Sequence, residues 1–125
     1  MSLDIYLIGP DYEESCRCSE CDHEHTRTGH ECYFEANITH NLASMADEAG
    51  IYRHLWRPDE VKIGRAHQLI DPLDRALAEM RNEPERFAAH DPANGWGSYA
   101  VFVPWLERLL GACREYPDAR LKVWR

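Results

Sequence analysis

The sequence predicts an α+β fold: about three helices packed on a small sheet that includes the N- and C-terminal strands, with a metal-binding Cys-rich loop. Three observations carry this. Leu3, Ile5 and Leu7 alternate with Asp4 and Tyr6 near the start, and Leu121-Lys122-Val123-Trp124 reads as a closing strand. Between them, apolar residues recur at helical spacing in three stretches. Cys16, Cys18 and Cys21 crowd into an otherwise polar segment.

Taken in order, the first strand has one strongly buried face, and Gly9-Pro10 is expected to stop it. Residues 11–32 are rich in Cys, His and Glu and show no periodicity. Such a segment cannot pack a core of its own, so a metal is its natural organiser. Tyr33 to Ala36 reads as a short strand or an extended lead-in. Ile38, Leu42, Met45, Ala46 and Ala49 then mark a helix over 38–49, with Asn37 as a cap and Gly50 where a helix-terminating glycine belongs.

Ile51 to Trp56 begins a short helical turn that Pro58 ends. Ala66, Leu69, Ile70, Leu73, Leu77 and Met80 define an amphipathic helix over 65–82. Pro72 either kinks that helix or, with Asp71, starts a fresh one. A brief turn follows over 84–89, then a loop over 90–98. Ser98 can cap the last helix, whose stripe is Tyr99, Phe102, Val103, Leu106, Leu109, Leu110 and Cys113, with Pro104 expected to bend it. Tyr116-Pro117-Asp118 is a turn. The two terminal strands are expected in the same sheet.

The 125 residues suit one domain, 1–125, with 11–32 as a Cys/His-rich metal-binding insertion. Apolar residues make up 44% and charged residues 29%, which fits a globular chain and not a disordered one. The net charge of −8 comes from 14 basic and 22 acidic residues. That field repels a phosphate backbone, and no dense Lys/Arg run offsets it, which argues against nucleic acid as a partner. It argues equally against an anionic membrane surface. The opening residues carry no basic n-region and hold an acid among them, so no signal peptide is expected. No apolar run approaches the ~18 residues of a membrane span. A cytoplasmic setting follows, in which the five cysteines are thiols or metal ligands and not disulfides.

Cys18-x-x-Cys21 is a knuckle spacing, in which a tight turn brings two sulfurs to one metal. Cys16 lies two residues before Cys18, so in extended chain both leave the same face. Three thiolates can converge on one ion, and His25 or Cys32, or less readily His23 or His30, supplies a fourth ligand. Sulfur-rich coordination favours tetrahedral zinc over hard ions, and the neighbouring histidines favour it over an iron–sulfur cluster. The competing readings are redox thiols and incidental free thiols. Cys113, on a helix stripe, reads as a core residue.

Two polar groups stand out. Asn37, His40 and Asn41 have the spacing of one helix face at a helix start, where polar ligands bind readily, although plain capping explains them as well. Asn94-Gly95-Trp96-Gly97-Ser98 holds an indole on a sharp loop, as a plug over the core or as one wall of a pocket. Should the two groups meet, they would form a small-ligand site of amide, imidazole and indole groups.

At these motifs the chain resembles a family of small uncharacterised proteins from bacteria and their phages. The residues concerned are Asn37-Ile-Thr-His-Asn-Leu42, Ile51-Tyr52, Leu55-Trp-Arg-Pro58 and Asn94-Gly-Trp-Gly-Ser-Tyr99, together with both terminal strands. Some members carry a similar Cys-x-Cys-x-x-Cys followed by a His-Thr pair. The resemblance therefore implies Cys16, Cys18, Cys21 and His25, with Thr26, and favours His25 over Cys32. It implies no activity.

The reading that leads is a zinc-stabilised, non-enzymatic binding or adaptor domain whose partner is a protein or a small molecule. A second is a small-ligand binder using Asn37, His40, Asn41, Asn94 and Trp96. A third is a zinc-dependent hydrolase-like enzyme with an open metal position and Glu24, Glu35 or His40 as base.

Overall fold

A computed structural model describes the backbone of residues 2–17 and 24–125, and the side chains of residues 2–10 and 31–125. The architecture is α+β. A three-stranded antiparallel sheet has the order β2-β1-β3, with β1 at Ser2–Arg17, β2 at Glu24–Thr39 and β3 at Arg120–Trp124. The helices among the described residues are α1 (Ala43–Glu48), α2 (Tyr52–Trp56), α3 (His67–Asn82), α4 (Pro84–Ala88) and α5 (Tyr99–Glu115). None is long and apolar enough to cross a membrane.

The alternation near the start does what its period requires. Leu3, Ile5 and Leu7 are fully buried beneath the helices, while Asp4 and Tyr6 take the opposite face. The C-terminal strand lies beside the first, with Asp4 opposite Trp124 and Ile8 opposite Arg120.

Gly9-Pro10 does not end β1, contrary to the sequence expectation. The ladder shifts register between Leu7 and Ile8 and again between Ile8 and Asp11, then resumes to Arg17 opposite Glu24. Pro10 has no N–H to give a ladder, and a register break is where a strand tolerates that loss. The aperiodic stretch before Tyr33 is likewise strand on both sides of residues 18–23, not a loop throughout. Ladders pair through backbone groups, which a patternless polar sequence carries as well as any other.

The first predicted helix starts later than expected. Asn37 and Ile38 belong to β2, and a 3-10 turn at His40–Leu42 leads into α1. Thr39, not Asn37, is the cap: its hydroxyl accepts from the Asn41 N–H at 3.3 Å. Gly50 has φ 76° and ends α1 as expected. Pro72 stays within one helix, as does Pro104 in α5, where Ser98 caps by accepting from the Val101 N–H.

α3 and α5 run antiparallel. Arg81 near the end of α3 pairs with Glu107 at 2.8 Å, and Asp74 earlier in α3 pairs with Arg114 near the end of α5. Leu69, Leu73 and Leu77 of α3 face Phe102, Leu106 and Leu109 of α5 within one buried cluster that reaches the sheet. Each such side chain contributes roughly 1.5–3 kcal/mol by leaving water. The outer edge of β3 is covered by the lead-in to α3. Leu121 N–H donates to Gly64 O, Ala66 N–H to Ala119 O, and Arg65 bridges Arg120.

Candidate functional site

Of the expected metal ligands, Cys16 and His25 lie near the end of the described β1–β2 ladder. Cys16 is the cross-strand partner of His25, and the next pair, Arg17 and Glu24, closes the described ladder. Cys18 and Cys21 lie outside the described residues, and Cys16 and His25 are described by backbone position alone. Antiparallel partners stand roughly 4.5–5.5 Å apart at their α-carbons, a separation that one tetrahedral ion bridges. Among the described residues, no group of three or more His, Cys, Asp or Glu side chains is placed to hold a metal. Cys32, the alternative fourth ligand, lies opposite Ile8, and its thiol donates to Phe34 O at 3.5 Å.

The polar residues of the two motifs are joined to the body of the fold. Asn37 is a strand residue, so it shares no helix face with His40 and Asn41. Its amide donates to Asp4 Oδ1 at 2.5 Å and to Ser2 Oγ at 2.9 Å across the β1–β2 ladder. His40 Nδ1 accepts the Trp56 indole N–H at 2.8 Å, and Tyr52 stacks on Trp56 at 5.5 Å. Asn41 is exposed.

On the second motif, Asn94 is exposed and its Oδ1 accepts from the Trp96 N–H at 2.9 Å, an Asx turn. Trp96 is 69% exposed, so it is no plug over the core. The inward residue is Gly97, at φ 92°. A Cβ there would stand 2.9 Å from Thr39 Cγ2 and 3.0 Å from Leu42 Cγ. The two motifs therefore do meet, but through the packing of a glycine and not around a common pocket. The missing Cβ lets the loop backbone close on Thr39 and Leu42.

Two further groups were not anticipated from the sequence. Ser44 Oγ stands 2.9 Å from His90 Nδ1, and Glu48 Oε2 lies 3.7 Å from His90 Nε2. Glu48 is also held by Arg86 at 2.6 Å, and that guanidinium also meets Glu79 and Glu83. The Arg86 hydrogen bond and charge hold the Glu48 carboxyl below its ordinary range. The cluster fastens α1 to α3, to α4 and to the chain that follows α4. Helical i, i+4 spacing of Ser44 and Glu48 was visible; a histidine 46 residues on was not.

The second group lines a cavity of about 710 Å³ between the Gly9 region of β1, the lead-in to α3 and the end of α5. Tyr33 and Tyr116 stack there, with ring centroids 4.7 Å apart and planes 14° apart. Arg65 and Arg120 are on its wall. The neighbouring Glu115 charge, with burial, holds the Tyr116 phenol above its usual range. A smaller depression of about 460 Å³ on the helix-free face of the sheet is bordered by Asp4, Tyr6, Glu35 and Lys122.

Compared with models of protein families, with curated proteins and with solved structures, the chain matches none.

Proposed function

We propose that the protein is a non-enzymatic binding domain whose β1–β2 hairpin is fastened at its end by one zinc ion. Cys16, Cys18, Cys21 and His25 are the ligands, and the partner is a protein or a small molecule met in a reducing cytoplasm. The observation that supports this most is the register that sets Cys16 directly across from His25, with the Cys18-x-x-Cys21 knuckle in the connection between them. A two-stranded ribbon is marginal by itself in water, and a metal at its end offsets the cost of ordering it. Three thiolates and an imidazole close the coordination sphere, which gives the ion a structural role.

The test is elemental analysis with X-ray absorption on protein purified in zinc-containing buffer. One zinc per chain with three sulfur ligands and one nitrogen is expected, and C18S and C21S should each lose it. Chelation should raise amide exchange within residues 11–30. Metal-free protein with unchanged exchange there would overturn the assignment.

A further inference from the structure

The two edges of the sheet differ. The strand order β2-β1-β3 makes β2 and β3 the edge strands. On the β3 side, Leu121 N–H donates to Gly64 O and Ala66 N–H to Ala119 O, so the lead-in to α3 covers that edge. Among the described residues, β1 is the only strand beside β2.

The register fixes which groups of β2 face outward. Leu121 turns its N–H away from β1, and it is the cross-strand partner of Leu7. Pairing groups alternate along an antiparallel strand, so Leu7 and Ile5 turn their main-chain groups to β2 and meet Phe34 and Ala36. Glu35 and Asn37 therefore direct N–H and C=O away from β1, and both residues are exposed. This stretch has a defined end. Leu7 pairs with Phe34 and Ile8 with Cys32, so Tyr33 is the extra residue of a β-bulge, a device that terminates pairing. From residue 34 to residue 39 the ladder is regular.

The side chains of this edge select what can pair with it. On the helix side, Phe34 and Ala36 are only half-buried although both pack against the core, so apolar residues of an added strand would complete their burial. On the opposite face, Glu35 stands across from Tyr6, with Asp4 two residues before that tyrosine. These three border the depression of about 460 Å³, with Lys122 on its far side, on β3. Burial, then the Asp4 and Glu35 charges, hold the Tyr6 phenol above its usual range. Between residues 31 and 39 the charged residues are Glu31 and Glu35, with no Lys or Arg. A basic side chain beside Glu35 is thus favoured and an acidic one disfavoured. A second copy would bring the same acidic edge and a net charge of −8, which disfavours self-pairing.

We propose that the 34–39 edge of β2 binds an extended segment of a partner protein in which Lys or Arg alternates with apolar residues. The segment adds as a further strand, bonded to the main-chain groups of Glu35 and Asn37. Its apolar side chains cover Phe34 and Ala36, and its basic ones lie beside Glu35, towards Tyr6 and Asp4. This inference rests on the binding-domain reading, for which it supplies the partner, and not on the zinc.

The experiment is NMR titration of the isotopically labelled full chain with a short peptide of alternating valine and lysine, blocked at both ends. The matching valine–glutamate peptide and an all-lysine peptide serve as controls. Saturable binding of one valine–lysine peptide per chain is expected, with slowed exchange of the Glu35 and Asn37 amides and both controls at least tenfold weaker. E35K should weaken the valine–lysine peptide at least tenfold and improve the valine–glutamate peptide. E35P removes an outward N–H and no ladder bond, so it should abolish binding while melting close to the parent. E35Q loses the charge and keeps the donor, and should weaken binding less. No saturable binding of the valine–lysine peptide, equal binding of either control, unchanged binding in E35K, or unaltered exchange at Glu35 and Asn37 would each overturn the proposal. Dimerisation of the peptide-free chain that E35P abolishes would overturn the choice of occupant and assign the edge to a second copy. Zinc is read by elemental analysis and the peptide by the Glu35 and Asn37 amides, so either proposal can fail alone.

Discussion

Trp56 donates its indole N–H to His40 Nδ1 at 2.8 Å, and Trp56 itself is only 3% exposed. The bond joins the 3-10 turn after β2 to α2, and it requires His40 to be unprotonated at Nδ1. Removing the acceptor strands a buried donor, which costs about 1–3 kcal/mol. H40A should lower stability by that amount in urea denaturation. In a W56F background the same substitution should cost markedly less, because the stranded donor is gone. Equal costs in both backgrounds would show the bond to be energetically idle.

Gly97 and Gly95 differ in what surrounds them, although both have positive φ. The left-handed dihedral alone costs an L-residue roughly 1–2 kcal/mol. A Cβ at Gly97 would also meet Thr39 and Leu42, whereas one at Gly95 would meet nothing within 4 Å. G97A should therefore destabilise clearly more than G95A in denaturant titrations. The reverse order would place the inward side of this loop elsewhere.

Cys113 and Cys32 should separate sharply in reactivity. Burial pushes the Cys113 thiol up to about 12, so almost none is thiolate at neutral pH. Cys32 is exposed. Iodoacetamide followed by peptide mass spectrometry should find Cys32 alkylated in the native protein, and Cys113 only at the rate of unfolding. In protein holding the proposed zinc, Cys16, Cys18 and Cys21 should be protected until chelator is added. Native-state labelling of Cys113 at the Cys32 rate would contradict its burial.

Acid should destabilise the fold in two stages. Burial, helped by the Arg75 charge, holds the His54 pKa below 6.5. The folded state thus prefers the neutral ring. This contribution is complete above an unfolded pKa of about 6.5 and is lost as pH falls through the lower folded value. Glu48, held down by Arg86, has the same sign in the window below 4.5. Calorimetric melting temperatures between pH 8 and 3 should show both declines. H54Q should flatten the first and E48Q the second.

The sequence made the core of this fold readable because burial writes itself in period. Leu3, Ile5 and Leu7 announced a one-sided strand, and the stripe from Phe102 to Cys113 announced α5; all are buried except Val103, which is half-buried. What it hid were features without a period. Pro10 looked like a strand end because a register shift leaves no mark in composition. Asn37 looked like a cap because strand amides and caps use the same residue types, and only the pairing of Ser2 with Thr39 decides between them. The stacked Tyr33 and Tyr116 lie 83 residues apart, the difference of their numbers, and the bulge that joins them is a property of two strands together. The Cys16–His25 register concerns two positions that the sequence had already singled out, and it adds a backbone relation to them.

The pairing of Asp4 with Trp124 has a consequence for how the molecule is made. β1 and β2 can zip together soon after both leave the ribosome, since a short connection joins them. The other side of β1 stays open until the distant Arg120–Trp124 segment has also been synthesised, leaving the backbone groups around Ile5 and Leu7 without their strand. Contacts so distant in sequence close slowly, and an open edge of this kind invites pairing between nascent chains. Pairing of β3 with β1 therefore comes late relative to the β1–β2 ladder, and shortening β3 should lower soluble yield well before it lowers the melting temperature of the molecules that succeed.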